Sequence, residues 1–440
     1  MGPTPLYDAL TAFAGEKTLR LHMPGHKGGH LPLPGFDALA AIDFTELTPT
    51  GDLFAGGGAI GAAEALWADA FRMEECLFLT GGSTQGMLAA LTLACPTGSG
   101  ILLDRGCHRS VYNALALLDL RPVYLPRPWL PRGRVTGPID PNTVEKALIA
   151  HPEIKTLCIT SPTYYGVLSN IPVLAEILHR HGGFLVVDAA HGAHLPFLGN
   201  YDLSAADLVV TSAHKTLPAL GQAALLFAGE AFSHRDLRRA AALYGSSSPS
   251  YLLMASLDGA RAWMEDEGIA PYRAAAAGVA RLRQTFPSLS EADAPLDPTR
   301  FVQLCDGFRV QAALEAEGIY PEMADRDHLV YILTAADKKA EFTRLFDALA
   351  RQGEGSCLLP PKRAEEPAPR PMLTPREAVF APHMTLPLAQ AEGRIAACQI
   401  APYPPGVPVI APGEQIGKKS LAFLSETGYN MQEEIEVVTP

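Results

Sequence analysis

From about residue 76 the chain alternates short apolar runs with longer amphipathic stretches. The runs at 76–80, 101–104, 122–125, 156–160, 184–188, 207–211 and 222–227 have the length and residue types of strands. They are apolar on both faces, as strands are inside a parallel sheet covered by helices on each side. Between them, 84–94, 109–118, 141–150 and 172–180 carry apolar residues at helical spacing. This alternation predicts an α/β fold, a mainly parallel seven-stranded sheet wound by crossover helices.

The ends of the chain read differently. Residues 1–60 are rich in Gly, Pro and His with little periodicity, and suggest an extended N-terminal arm. A large domain follows over 61–285, leaving its sheet through helical patterns at 236–244, 252–267 and 272–284. The remainder, 286–440, predicts a smaller C-terminal α/β domain, with strands at 300–304 and 329–334 and a helix at 338–349. Within it, 359–375 holds Pro360, Pro361, Pro367, Pro369, Pro371 and Pro375. Such a stretch suits neither helix nor sheet interior and reads as a linker. A helix from 375 through 379 or beyond and a Pro-rich stretch at 403–412 close the chain, and no internal repeat is visible.

Composition narrows the class. The 440 residues are 48% hydrophobic, which excludes wholesale disorder and suits two or three folding units at roughly 150 residues per domain. The charge balance of 35 Lys+Arg against 47 Asp+Glu leaves −12. No basic run exceeds Lys338-Lys339 or Lys418-Lys419, so no nucleic-acid partner is expected, and small cations suit this surface better. The seven cysteines include no Cys-x-x-Cys and no zinc-finger spacing, and suggest buried small hydrophobes in a reducing compartment. The start Met1-Gly2-Pro3-Thr4-Pro5 does not resemble a signal peptide, and no window reaches the ~18 apolar residues of a membrane helix. The expectation is a soluble, cytoplasmic protein with no membrane partner.

Candidate chemistry sits where predicted strands end. Asp188 closes the run 184–188, and Lys215 stands just past the run 207–211. Both would then face the carboxyl edge of the sheet, where α/β proteins bind ligands. An amine in a partly dry crevice becomes nucleophilic towards carbonyls, and a lysine Schiff base with an acid facing a pyridinium nitrogen is the pairing pyridoxal phosphate requires. The alternative for each residue alone is a strand-end cap and a solvated lysine. Thr80-Gly81-Gly82-Ser83-Thr84-Gln85-Gly86 follows a strand and opens a helix, so its backbone N–H groups suit a phosphate, with Ser83, Thr84 and Ser212 as hydroxyl donors. A plain N-cap is the simpler alternative. His108, after the strand 101–104, would stack on a cofactor ring, move a proton, or act as a structural hydrogen-bonder.

Several ordered segments resemble one family. Arg105-Gly106-Cys107-His108-Arg109-Ser110, Ser161-Pro162-Thr163-Tyr164-Tyr165-Gly166, Asp188-Ala189-Ala190-His191-Gly192-Ala193-His194 and Ser212-Ala213-His214-Lys215-Thr216-Leu217 are similar to the Orn/Lys/Arg decarboxylases. These are fold-type-I pyridoxal-phosphate enzymes, and the likeness is to their shorter bacterial members. His22-Met23-Pro24-Gly25-His26-Lys27-Gly28-Gly29, Ser248-Pro249-Ser250-Tyr251, Tyr403-Pro404-Pro405-Gly406-Val407-Pro408 and Pro412-Gly413-Glu414 extend it over about residues 4 to 430. The resemblance implies Lys215 as the lysine carrying pyridoxal 5'-phosphate and Asp188 as partner of the pyridine nitrogen. It implies His108 against the ring, Ser83, Thr84 and Ser212 on the phosphate, and His191 and His214 beside the cofactor. It further implies decarboxylation of arginine, lysine or ornithine, feeding polyamine biosynthesis. A homodimer or higher homo-oligomer would have its active site between subunits, with 248–251 and the arm 22–29 contributed by a neighbour.

The chain departs from the family pattern at Ala189, where an acidic residue is usual, at Gly221-Gln222, where the pattern has Thr-Gln, and at Phe227, where a histidine is common. These bear on rate and substrate choice more than on cofactor binding. An aminotransferase or other reaction on the same cofactor, or a non-catalytic relative, is the competing reading. No metal is expected: Pro24-Gly25 breaks the helix that would align His22 with His26, and His191 with His194 lacks a third ligand. Tyr164-Tyr165 reads equally as packing or as a substrate contact. Glu46 and Asp52 are candidates for the substrate's distal cation.

Overall fold

The computed structural model describes residues 2–29, 31–199, 201–352, 368–402 and 406–439. Its strands are β1 (Glu75–Leu79), β2 (Gly100–Asp104), β3 (Arg121–Leu125), β4 (Trp129–Leu130), β5 (Val135–Thr136), β6 (Thr156–Thr160), β7 (Phe184–Asp188), β8 (Leu208–Thr211) and β9 (Ala224–Ala228). Later in the chain come β10 (Arg300–Leu304), β11 (Met323–Ala324), β12 (His328–Ile332), β13 (His383–Pro387) and β14 (Glu434–Val438). A seven-stranded sheet has the order β1-β9-β8-β7-β6-β2-β3. β2 is parallel to β3 and β6, and β7 to β8, whereas β9 runs against both its neighbours. The sheet is therefore mainly parallel, as its doubly apolar strands predict.

The predicted crossover helices are Gly82–Ala94, Arg109–Leu118, Pro141–Ala150 and Ile171–Arg180. Two begin at polar caps placed just before a proline-bearing first turn. Asp140 accepts from the Asn142 and Thr143 N–H groups, and Asn170 from that of Val173.

The chain divides into two compact units. The first, Met1–Ala94 with Phe184–Arg273, holds β1, β7, β8 and β9. The second, Cys95–Gly183 with Ala274–Pro440, holds the other strands. There β10-β12-β11 form a three-stranded antiparallel sheet and β13 pairs with β14. Apolar clusters around Phe301, Val310 and Leu329, and around Ile400, Ile410 and Phe423, provide its cores beyond the large sheet. No helix among the described residues is long and apolar enough to cross a membrane.

Three details differ from the sequence expectation. The strand expected at 222–227 starts only at Ala224, because Gln222 takes a left-handed φ of 80° and turns the chain first. The helices expected at 252–267 and 272–284 are one continuous helical run: Tyr251–Trp263, a π-helical turn Met264–Gly268, then Ile269–Thr285. Pro271 would normally stop an α-helix, but the wide turn before it relieves the clash with the carbonyl four residues back. The N-terminal segment contains helices Pro5–Gly15 and Asp37–Ile42. The first buries Leu6 and Leu10 and is anchored by the Asp258 carboxylate, which accepts from the Leu6 N–H (2.8 Å) and Tyr7 N–H (3.1 Å) at the positive helix end. The helix expected from 375 is present as Pro375–Phe380, with Pro375 opening it behind a Thr374–Glu377 capping box. Most of the Pro-rich stretch 359–375, together with Tyr403-Pro404-Pro405 and Cys357, lies outside the described residues. Cys76, Cys95, Cys107, Cys158 and Cys305 are buried and Cys398 is partly buried, and none of these six forms a disulfide.

At the end of β2 the polar residue that stops the strand is structural. Asp104 is fully buried and accepts from Arg127 Nε (2.9 Å) and Nη2 (2.6 Å), Gly106 N (2.8 Å) and Thr160 N (3.1 Å). One carboxylate thus ties together the ends of β2 and β6 and the segment after β3. Removing its cation would leave a buried charge uncompensated. Arg127→Met is expected to lower the unfolding free energy by about 3–5 kcal/mol, measured by urea denaturation. A loss under ~1 kcal/mol would contradict this.

Candidate active site

Three strand ends in the first unit meet on one sheet edge. β7 is parallel to β8, and β1 reaches the same direction through the reversed β9. Their carboxyl ends lead into Thr80-Gly81, Asp188-Ala189 and Ser212-Ala213 respectively.

The first loop is built to approach an anion closely. Gly82 takes φ 71°, and helix Gly82–Ala94 has no acidic residue in its first turn. Gly86 lets that helix lie against the sheet: a Cβ there would stand 2.6 Å from Leu79 and 2.7 Å from Val210. The buried Gln85 side chain accepts from Gly81 N (2.9 Å) and donates to Ala241 O (3.0 Å), holding the loop in shape. Ser83 is partly buried and Thr84 exposed at the helix start. The helix N-terminus therefore presents N–H groups and hydroxyls with a partial positive charge.

Asp188 is buried at the end of β7, and its Oδ1 accepts from Ala190 N (3.1 Å). Three residues further, the buried His191 places its Nε2 3.1 Å from Lys215 Nζ. Lys215 rides on the one-turn helix Ala213–Thr216 that follows β8. His214 on the same turn donates from Nδ1 to Ala223 O (2.9 Å). Ser212, at the cap of that turn, has a buried hydroxyl that makes no hydrogen bond among the described residues. Buried hydroxyls are rarely left so. With the glycine-rich helix start, it fits the residues to a phosphate-bearing aldehyde cofactor such as pyridoxal phosphate.

Lys215, Asp188, His191, His214, Ser212, Ser83 and Thr84 thus all belong to the first unit, on or just beyond these strand ends. His108 belongs to the second unit. There it is the N-cap of helix Arg109–Leu118, with Nδ1 3.0 Å from Ser110 Oγ and 3.3 Å from Ser110 N. This capping orients the imidazole. Also in the second unit, Tyr164 donates to Glu322 (2.5 Å) and Tyr165 to Asp325 (2.6 Å). Although burial pushes the Asp325 carboxyl up, the adjacent His328 holds it below the ordinary carboxylate range.

Other sequence candidates are engaged elsewhere. Both ring nitrogens of His26 have partners, Asp43 at 3.2 Å and Gly28 N at 3.0 Å. Asp52 turns its Oδ1 to the N–H groups of Phe54 and Ala55, while Glu46 Oε1 is buried without a hydrogen bond among the described residues. Of the family departures, Ala189 is buried and its N–H donates to Val210 O (2.8 Å). Phe227 stacks on Phe71 at 4.2 Å in the core.

Three long-range contacts carry no local sequence signal. Gln85 acts through a contact to residue 241. Arg105 is held by both oxygens of Glu414 (2.7 and 2.9 Å) and by Val409 O (2.8 Å), joining two of the ordered motifs. Tyr272 donates its hydroxyl to Thr216 O.

The chain matches the family profile described as "Orn/Lys/Arg decarboxylase, major domain" over residues 4–299, and that described as "Orn/Lys/Arg decarboxylase, C-terminal domain" over 361–432. It is 34% identical to the uncharacterized protein YaaO of Bacillus subtilis, covering 96% of this chain and 94% of that one. It is 30% identical to the arginine decarboxylase of the same organism, covering 96% and 93%. In architecture it is similar to the lysine decarboxylase LdcF of Francisella novicida, with a TM-score of 0.81 at 21% identity over 99% of this chain and 81% of that one.

Proposed function

The chain belongs to the Orn/Lys/Arg decarboxylase family, and from that premise we propose that it removes the α-carboxylate of a basic L-amino acid with pyridoxal 5'-phosphate, arginine being the first candidate. The observation that carries this reading is the Lys215–His191 contact (3.1 Å), set beside buried Asp188 and an anion-ready helix start. The arginine decarboxylase relative supports the order of substrates.

Bound there, the cofactor supplies an electron sink for the bond to the departing carboxylate. Lys215 would hold it covalently. The glycine-rich start with Ser83 and Thr84, and the Ser212 hydroxyl, would receive its phosphate. Asp188 keeps a negative charge in a dry place and so favours a proton on the pyridine nitrogen. By the family likeness His108 would serve the cofactor ring, and His214, fixed through Ala223, would line the cofactor's surroundings. His191 holds Lys215 Nζ in place, and Lys215 or His191 returns a proton to Cα. A tight clamp on the α-carboxylate would stabilise the ground state, so recognition falls on the substrate's distal cation, with Glu46 the better candidate of the two arm carboxylates.

The protein acts as a homodimer in the cytoplasm, the arm 22–29 and segment 248–251 reaching a neighbour's site. The exposed Leu19, Leu21, Met23 and Leu33 of the arm support that assembly, and the free cysteines support a reducing compartment. Purified protein with pyridoxal phosphate is expected to release CO₂ and agmatine from arginine, with cadaverine from lysine and putrescine from ornithine as the other outcomes of the same assay. Keto acid without CO₂ would make it an aminotransferase, and no product from any of the three would make it a non-catalytic relative. Either result overturns the reading.

A further inference from the structure

Tyr272 lies outside every motif that carries the family likeness, yet one side chain grips two of them. Its hydroxyl donates to the carbonyl of Thr216, the residue after Lys215. Its ring stacks on the imidazole of His194, with centroids 5.5 Å apart and planes at 25°. Tyr272 and His194 are both buried, at 1% and 0% exposure. The two segments it joins are the ones whose residues meet in the Lys215–His191 contact.

The turn that bears Lys215 needs such a support. Ala213–Thr216 is a four-residue helix, too short to be stable through its own hydrogen bonds. Its Ser212 cap gives no side-chain hydrogen bond, and Thr216 Oγ1 makes none among the described residues. At the carboxyl end of the turn Leu217 N–H closes onto Ala213 O (2.7 Å), and the Tyr272 hydroxyl adds the bond that ties this end to another helix. Tyr272 reaches it because of the π turn Met264–Gly268. One extra residue in that turn rotates every later side chain by about 100° relative to an uninterrupted α-helix. Gly268 suits the turn: a Cβ there would come within 2.6 Å of Met264 Sδ and 2.9 Å of the Trp263 ring. π turns of this kind frequently mark functional sites.

We propose that Tyr272 is a positioning residue for Lys215, acting through the Thr216 carbonyl and the His194 ring. The proposal rests on Lys215 being the cofactor-bearing lysine. Tyr272→Phe keeps the ring and its stack and removes only the hydroxyl, so a residue needed merely for packing would tolerate it. In the cofactor-loaded enzyme, Tyr272→Phe is expected to lower kcat by about three- to tenfold with little change in KM. It should also shift the pH midpoint of the visible absorption of bound pyridoxal phosphate, while Tm stays within a few degrees of the parent. 3-Fluorotyrosine at position 272, a stronger donor of nearly the same shape, should move that midpoint in the opposite direction, and it keeps the test open if the Phe variant fails to fold. An unshifted midpoint in either variant, or both shifts in one direction, overturns the proposal. Borohydride reduction and peptide mass spectrometry on the parent enzyme keep the premise separate. Label on a lysine other than Lys215 overturns the lysine assignment, whereas label on Lys215 with unshifted midpoints overturns the role of Tyr272 alone.

Discussion

Lys215→Ala is expected to cut amine production at least about a thousandfold and to abolish borohydride-stable attachment of pyridoxal phosphate, with the fold intact. The reason is local. Lys215 stands on a one-turn helix directly after β8, and its Nζ is the group next to His191 Nε2. His191 cannot replace an amine that forms a covalent link to an aldehyde. The His191 ring can still accept from water once Nζ is gone, so little stability is lost. Release of labelled CO₂ from carboxyl-labelled arginine measures the rate, and reduction followed by peptide mass spectrometry measures the attachment. A variant that keeps more than about a tenth of the parent rate would remove Lys215 from the chemistry.

Asp188→Asn should lower kcat by about a hundred- to a thousandfold while leaving KM nearly unchanged. The substitution separates charge from shape. An asparagine oxygen still accepts from Ala190 N, so the turn after β7 keeps its hydrogen bond. What disappears is a buried negative charge, and with it the preference for a protonated pyridine nitrogen. Steady-state kinetics on the cofactor-loaded variant, with circular dichroism as the check on folding, decide the matter. A rate within about threefold of the parent would show that the charge at 188 does not act in the reaction.

Both residues were legible in the sequence because apolar runs mark strands and the first polar position after a run marks the sheet edge. Asp188 closes its run at the residue where β7 stops, and Thr211 ends both the predicted run and β8. The same rule applies to Asp104, which the sequence did not single out, and its saturation by Arg127 shows what the rule cannot separate: a carboxylate at a strand end serves a ligand or the scaffold alike. Contacts between distant segments left no local trace. Gln85 reaches Ala241, Asp258 caps a helix at Leu6, and Tyr272 reaches Thr216. The helical run through Pro271 was hidden because proline normally ends a helix, and only the π turn before it removes the conflict. The β9 start was hidden because Gln222, unlike glycine, does not advertise a left-handed backbone.

The Arg105–Glu414 pair bears on how this protein and its relatives can be recombined. The two family profiles divide the chain into a major domain and a C-terminal domain, which invites their treatment as exchangeable modules. Yet the cation that opens the His108 segment is neutralised by a carboxylate near the far end of the sequence, and both side chains are largely buried. A chimera taking its C-terminal part from a donor without a carboxylate at the position of Glu414 would leave Arg105 a stranded charge three residues before His108. In this chain the two positions therefore act as one unit, and a graft of its C-terminal part should carry both.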